Sequence, residues 1–305
     1  MNSLGINVGS SSLKMVMLEG DSISWSAVLP HEGDFLAAVH KALSGRSVPA
    51  GLPSLVTGNE GRGLFALNNT IEPLCIEAAL RAIGEKVDAV VTMGGEDLIV
   101  YTVDERDTIV NNFSGNKCAS GTGEFFKQQL ARMDMRLEDV AKVPASAKVM
   151  PLSTRCSVFM KSDCTHRLNK GEATKDDIVL SLSMVMATKV VDFLKRAKVM
   201  NGRVMLTGGT TLNPHILRFI RELAPETDFV ITKEASYFEA YGAAILARES
   251  GSPFPGEKAL LRPNDIRFGS LEDLESARDK VKYFEGKTGS VVAGREYIQI
   301  GRAHV

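Results

Sequence analysis

Cysteine is scarce in this chain, with four among 305 residues. They stand at 75, 118, 156 and 164, with no C-x-x-C pair and no cysteine–histidine spacing that suits a zinc finger. No apolar run reaches the length of a membrane span. The opening residues, MNSLGINVGS, lack the basic-then-apolar pattern of a secretory signal. A cytoplasmic protein without disulfides is expected. Charge of one sign is also lacking: 36 Lys and Arg against 37 Asp and Glu leave a net charge of −1. With no basic stripe, neither a nucleic acid nor a membrane is an expected partner. Two phosphate-binding signatures are missing. There is no G-x-x-x-x-G-K-S/T, which excludes a P-loop enzyme. There is no G-x-G-x-x-G after the first strand, which leaves a dinucleotide site unsupported.

What remains is an ordinary globular composition, 44% hydrophobic and 24% charged, long enough for two domains or lobes of roughly 100–200 residues each. LGINVGS, SSLKMVMLEG and SISWSAVL read as strands, and SLVTG at 54–58 as a short buried one. DFLAAVHKALSG and IEPLCIEAALRAIGE read as helices, the second with Pro73 in its first turn. DAVVTMGGEDLIVYTVDE at 88–105 reads as a hairpin. A helix is predicted from about Gly121 to Met133, a short one at LEDVAKV, and an extended-then-helical stretch at 153–171. The run DDIVLSLSMVMATKVVDFLKRAK has the spacing of a long helix. Strand, turn and helix follow in GRVMLTGGTTLNPHILRFIREL, then a strand in DFVITK and a helix in SYFEAYGAAILARES. Gly251–Pro263 reads as a linker.

Three glycine turns each follow an apolar strand: VGSSS (8–12), MGGED (93–97) and TGGTT (207–211). Bare backbone amides at such turns bind phosphate oxygens, and glycine admits close approach. Gly9, Ser10, Ser11, Ser12, Gly94, Gly95, Gly208 and Gly209 are therefore candidate nucleotide contacts. Three ordinary tight turns are the alternative. Between the second and third turns, NKCASGTGEFF (116–126) puts Cys118 three residues before a Gly121-Thr122-Gly123 turn that opens a helix. Such loops hold anions, and a thiolate is one.

These turns, in this order, resemble the fold shared by actin, Hsp70 and sugar kinases. GINVGSSSLK resembles the first phosphate loop, VTMGGEDLIV the second, VMLTGGTTLNP the adenosine loop and AYGAAILA a late connecting helix. With KCASGTGEF and STRCSVF added, residues 3–249 look like the ATP-hydrolysing activators of 2-hydroxyacyl-CoA dehydratases and the related benzoyl-CoA reductase ATPase subunits, the BadF/BadG/BcrA/BcrD type. The fold this implies is α/β, actin-like and ribonuclease H-like, with two lobes that each hold a mixed sheet flanked by helices. Residues 1–110 would form the N-terminal lobe and 111–250 the C-terminal lobe with its cluster-binding segments.

The resemblance implies ATP or ADP with Mg²⁺, and a 4Fe–4S cluster held by Cys118 and Cys156 of each subunit across a homodimer. It implies Glu96 and Asp97 as catalytic residues, Asn7 and Asp97 in the Mg²⁺ shell, and Gly121 and Gly123 among the cofactor-binding glycines. The partners would be a 2-hydroxyacyl-CoA dehydratase or acyl-CoA reductase component, and an upstream donor of ferredoxin or flavodoxin type. The residue chemistry agrees. Such a cluster takes four thiolates, a two-fold axis doubles two into four, and amides at a helix start lower a thiol's pKa. Cys75 and Cys164 read as packing, Cys164 with the alternative of ligating, and His166 as a surface or hydrogen-bonded residue rather than a ligand.

Three features depart from the family or stay open. Where the family has Asp, this chain has Asn7, which offers a carbonyl oxygen without charge and implies slower hydrolysis or weaker Mg²⁺ binding. Where the family often has Gln, it has Glu96, able to hold the attacking water or to stand as a solvated turn carboxylate. Lys14 is open between a surface role and phosphate contact. The alternative functions are a small-molecule kinase, with Asp163 as the candidate base, and a nucleotide-dependent scaffold or sensor. At the far end, IGRAHV (300–305) is the string that one reading frame of a common sequencing adapter encodes, and non-native sequence is expected there. GREYIQ before it resembles the lead-in to another first strand, so 251–299 reads as a linker and the start of a possible second repeat.

Overall fold

The computed structural model describes residues 1–59, 62–115, 122–154 and 156–262. Its two sheets are built on one plan. In the first, β1 (Ser3–Val8), β2 (Ser12–Glu19) and β3 (Ser22–Pro30) form an antiparallel meander, and β4 (Pro53–Thr57) lies parallel to β1. In the second, β5 (Ala89–Met93), β6 (Leu98–Val103) and β7 (Ile109–Ser114) repeat the meander, and β8 (Arg203–Thr207) lies parallel to β5. A fifth strand completes each: β10 (Ser252–Pro253) against β4, and β9 (Asp228–Val230) beside β8. β1 and β5 lie mid-sheet and are covered on both faces. Their sequences, SLGINV and AVVTM, are accordingly near-continuous apolar runs rather than alternating ones. A longer strand not anticipated is β7. It is an edge strand, largely exposed, and its two asparagines lower its strand propensity.

Eight helices flank the sheets among the described residues: α1 (Phe35–Leu43), α2 (Glu72–Ile83), α3 (Gly123–Arg132), α4 (Leu137–Val140), α5 (Ser157–Asn169), α6 (Lys175–Ala197), α7 (Pro214–Leu223) and α8 (Phe238–Ser250). Local chemistry starts several of them. Asp34 caps α1, Thr174 and Asp177 form a reciprocal capping box on α6, and Asn213 with Pro214 opens α7. The long helix α6 buries Ile178, Leu182, Val185 and Val190 against the second sheet, with α3, α5 and α7 beside it. The first sheet packs α1 on one side. Between the sheets, α2 and α8 share a third core. Ile76 and Leu80 of α2 and Ala240 and Ala244 of α8 meet Val16 of β2, Val90 of β5 and Met205 of β8 there.

The chain changes sheet between β4 and β5. The hairpin at 88–105, assigned to the first lobe by a boundary at residue 110, thus belongs to the second sheet, because β5 pairs with β8 and not with β1. It returns to the first lobe through α8. The segment after residue 250, read as a linker, packs into that lobe as far as residue 262: β10 pairs with β4, and Phe254 and Leu260 are buried with Phe65. The possible second repeat and residues 300–305 lie outside the described residues. Among those described, no helix is long and apolar enough to cross a membrane.

Two glycines set how closely α8 approaches its neighbours. A Cβ on Gly5 of β1 would lie 2.0 Å from the Ala240 carbonyl oxygen, and one on Gly242 would lie 1.8 Å from the Cys75 carbonyl oxygen. Both obstructions are backbone and cannot rotate away. Replacing either glycine with alanine is expected to lower stability by about 1–3 kcal/mol, read as a shift in urea midpoint. An unchanged midpoint would refute the close contact.

Candidate functional site

The first and second glycine turns occupy equivalent places, after β1 and after β5, and have the same internal bond. The Gly9 amide donates to the Ser12 carbonyl at 3.1 Å, and the Gly94 amide to the Asp97 carbonyl at 2.9 Å. The two turns face each other closely: a Cβ on Gly95 would lie 2.4 Å from Ser11 Oγ and 2.8 Å from Ser10 Oγ. His31 supports the first turn. Its Nδ1 accepts from the Gly33 amide at 3.0 Å, so its Nε2 carries the proton and donates to the Gly9 carbonyl at 2.9 Å. Lys14 points at the same turn, its Nζ lying 2.9 Å from where a Gly9 Cβ would be.

The third turn closes on the second from the other side. Gly208, at φ 94°, lies against the end of β5, where a Cβ would come 2.3 Å from the Met93 carbonyl oxygen. Thr210 Oγ1 lies 3.5 Å from the Gly94 carbonyl, and Gly209 faces open space. The start of α3 joins this group. The Gly123 and Glu124 amides donate to the Gly94 and Gly95 carbonyls at 3.2 and 2.8 Å. Gly123 therefore acts through its closeness to the second turn. Its own amide is occupied, and a Cβ would meet the Gly94 carbonyl oxygen at 2.9 Å.

Beneath the turns lies a buried polar cluster. Asn7, 1% exposed, donates from Nδ2 to Glu72 Oε1 at 3.3 Å, while its Oδ1 has no partner among the described residues. Glu72 opens α2. Glu239, 4% exposed on α8, has the Thr92 side chain beside it. Burial, and then the charge of Glu239, push the Glu72 carboxyl up to about 7, with Asp97 adding to the rise and Lys14 and Asn7 opposing it. Burial likewise pushes Glu239 up, and Lys14 is the main counterweight. Among the described residues, no ion pair joins Lys14 to either carboxylate. Of the two candidate catalytic residues, Asp97 is half-buried and faces this cluster, while Glu96 is exposed at the tip of the turn.

A chain that gathers three glycine turns between two equivalent sheets has the layout of an actin-like nucleotide site. The family model for BadF/BadG/BcrA/BcrD ATPases matches residues 4–247. The chain belongs to the BadF/BadG/BcrA/BcrD ATPase family. The (R)-2-hydroxyglutaryl-CoA dehydratase activating ATPase of Acidaminococcus fermentans is 29% identical over 262 residues, 80% of this chain and 96% of its own length. The activator of lactoyl-CoA dehydratase of Anaerotignum propionicum is 24% identical over 258 residues, 82% of this chain and 98% of its own. The crystal structure of Acidaminococcus fermentans (R)-2-hydroxyglutaryl-CoA dehydratase component A superposes with a TM-score of 0.70 at 25% identity, covering 82% of this chain and 99% of that one. The two-lobed, actin-like α/β fold expected from the turns is the fold of this ATPase.

The cysteines of this family member divide by environment. Cys75 is buried and its thiol is pushed up to about 12 by burial; Cys164 is buried and pushed up to about 11 by the same cause. Both stay protonated, as packing residues do. Cys156 is half-buried and is the N-cap residue of the 13-residue helix α5. Cys118 and Gly121 lie outside the described residues. Among the described residues, no three of His, Cys, Asp and Glu gather into a metal-binding group.

The sequence reading missed Glu72, Glu239 and His31. Glu72 was hidden as an ordinary acidic first-turn residue. The signal for Glu239 was a carboxylate in the middle of an apolar helix, three residues before the contact glycine Gly242. A fourth turn was missed as well. Gly58, at φ 105° after β4, packs 2.2 Å from the Val8 carbonyl oxygen by the same measure as Gly208 against Met93. The repeated Thr-Gly at 57–58 and 207–208 announced it.

Because the folded protein holds Glu72 above its ordinary value, the protonated carboxyl favours the fold. The contribution is full below pH 4.5 and is lost as pH rises through about 7. In metal-free buffer, stability is expected to fall by about 3 kcal/mol across that window, and Glu72→Gln to flatten the slope. Urea unfolding at a series of pH values measures it; an identical slope in the variant would show that Glu72 is not the group concerned.

Proposed function

We propose that this chain is an ATP-hydrolysing, electron-donating activator of a 2-hydroxyacyl-CoA dehydratase or a benzoyl-CoA reductase-type enzyme. The observation that carries the reading is the pair of hydrogen bonds from the start of α3 to the second phosphate turn, within a chain of this ATPase family. The turns supply amides and the Ser10, Ser11 and Ser12 hydroxyls to the phosphates, with Gly208 and Gly209 toward the nucleoside. Asp97 and Glu96 flank the place where water attacks the terminal phosphorus and ADP leaves. Asp97 is the better shielded of the two. Glu96, at the exposed tip, orients water once the nucleotide closes over it.

Mg²⁺ fits the chemistry of the site, since Asn7 Oδ1 is a buried oxygen that no described residue serves and the charge of Asp97 reaches the same cluster. For the 4Fe–4S cluster, the described half of the donor set is suitable. Cys156 is the half-buried N-cap residue of α5, and Cys118 of the same chain and both cysteines of a second copy complete the four. A bound cluster of this kind supplies one electron at a potential that exposure and hydrogen bonding set.

The chain's own contribution is mechanical. Gain or loss of a phosphate at Gly94 and Gly95 shifts two carbonyls, and those carbonyls hold the first amides of the helix that follows Cys118. The nucleotide drives this only if it binds the two arrangements with different affinity. The reading carries with it a cytoplasmic homodimer, a ferredoxin- or flavodoxin-type donor, and an acyl-CoA dehydratase or reductase component as acceptor. The kinase alternative has lost its base: the Asp163 carboxylate accepts from the Ser153 amide at 3.0 Å and from Arg167 Nε at 3.1 Å.

Oxygen-free purification tests the proposal. The expected product is a brown dimer with iron and sulfide, whose ATPase activity persists in Cys118→Ser and Cys156→Ser while the iron is lost. Iron-free wild-type protein, or iron retained in both variants, would defeat it.

A further inference from the structure

The two connecting helices are alike in one respect. Each carries a glutamate three residues, about one helical turn, before the point where they cross. Glu72 precedes Cys75 and Glu239 precedes Gly242, and the Cys75 carbonyl against Gly242 is the tightest glycine contact among the described residues. The crossing thus brings both carboxylates under the first and second phosphate turns. Asn7 of β1 reaches Glu72 there, and Thr92 of β5 reaches Glu239. The other groups facing them are Lys14 of β2, Asp97 of the second turn, Tyr101 of β6 and Cys75 of α2, and only Lys14 is cationic. Into this surplus of negative charge the Asn7 amide presents Oδ1, an acceptor that no described residue serves. One lysine among three carboxylates leaves acceptors in excess, and such an excess suits a cation.

We propose that Glu72 and Glu239, rather than the side chain at position 7, hold the charge of the divalent ion that enters with the nucleotide. This rests on the nucleotide reading given above. Mg²⁺ keeps several waters and is held by one or two carboxylates together with phosphates, not by a cage of protein ligands. The two carboxylates of the connecting helices meet that need. Asn7 then has a definite part. Its Nδ2 keeps Glu72 in place, and its Oδ1 is left for the ion or its water. An aspartate at position 7 would instead set a third carboxylate against Glu72. The ion would also pull on α2 and α8 together, and so act at the crossing itself.

Mn²⁺ binding to the full chain, followed by electron paramagnetic resonance with and without ADP, tests this, with ADP binding in EDTA measured alongside. E72Q and E239Q are each expected to weaken Mn²⁺ binding in the presence of ADP by about 10–100-fold while leaving ADP binding in EDTA unchanged. Glu72→Asp and Glu239→Asp are expected to fall between. Asn7→Asp is expected to lower the urea midpoint in metal-free buffer, with Mn²⁺ restoring it. Unchanged Mn²⁺ affinity in both glutamine variants, with ADP still bound, overturns the inference and leaves the nucleotide reading intact. A wild-type chain that binds ADP neither in EDTA nor with Mn²⁺ overturns the nucleotide reading itself.

Discussion

The close approach of α8 to β1 and α2 is the constraint on which the rest of the molecule depends. It is fixed by two glycines, Gly5 and Gly242, each with a carbonyl oxygen where a methyl group would be. The residues lining the gap between α2, α8 and the sheets are accordingly apolar: Ile76, Leu80, Ala240 and Ala244. It also decides the site's electrostatics. Glu72, half-buried, and Glu239, buried, are near each other because their helices cross within a backbone's thickness of one another. Loosening the crossing would admit water, lower the desolvation cost of both carboxylates, and remove the reason for an amide at position 7.

How much of this was legible in the sequence follows from the range of the interactions. The alternation of strands, the apolar runs of β1 and β5 and the spacing in α6 are local, and local patterns are written in consecutive residues. The glycine turns were legible for the same reason: each is a strand followed within a few residues by glycine. The second lobe's true start was not. Whether the hairpin at 88–105 joins β1 or β8 is a pairing choice made across more than a hundred residues, and nothing in VTMGGEDLIV states it. β7 was passed over because Asn111 and Asn112 weaken its pattern and only its partner β6 stabilises it as a strand.

The site was half legible. The turns were found by type, while the carboxylates beneath them come from helices at opposite ends of the chain. Glu72 alone looks like a favourable charge at a helix start, and Glu239 alone looks like an anomaly. Their meaning appears only when Cys75 and Gly242 are known to touch. His31 is similar. A histidine after a strand carries no signal until its ring is seen to span the Gly9 carbonyl and the Gly33 amide.

The equivalence of the two lobes makes one difference between them informative. Gly9 and Gly94 are the same position in a repeated topology, each following the first strand of its sheet, with the same amide bond to the residue three along. Their carbonyls nevertheless have different partners. In the first lobe the Gly9 carbonyl accepts from His31, a side chain at the end of the same meander, so the turn is tied to its own sheet. In the second lobe the Gly94 carbonyl accepts from the Gly123 amide, and the neighbouring Gly95 carbonyl from that of Glu124. A helix start leaves amides that need acceptors, and Thr122 offers α3 no side-chain cap; the turn supplies the acceptors instead. One turn is therefore anchored and the other is shared with a helix. A nucleotide that touches both would push against the first and move the second. In sequence, the segment that bears Cys118 leads into the helix attached to the second turn.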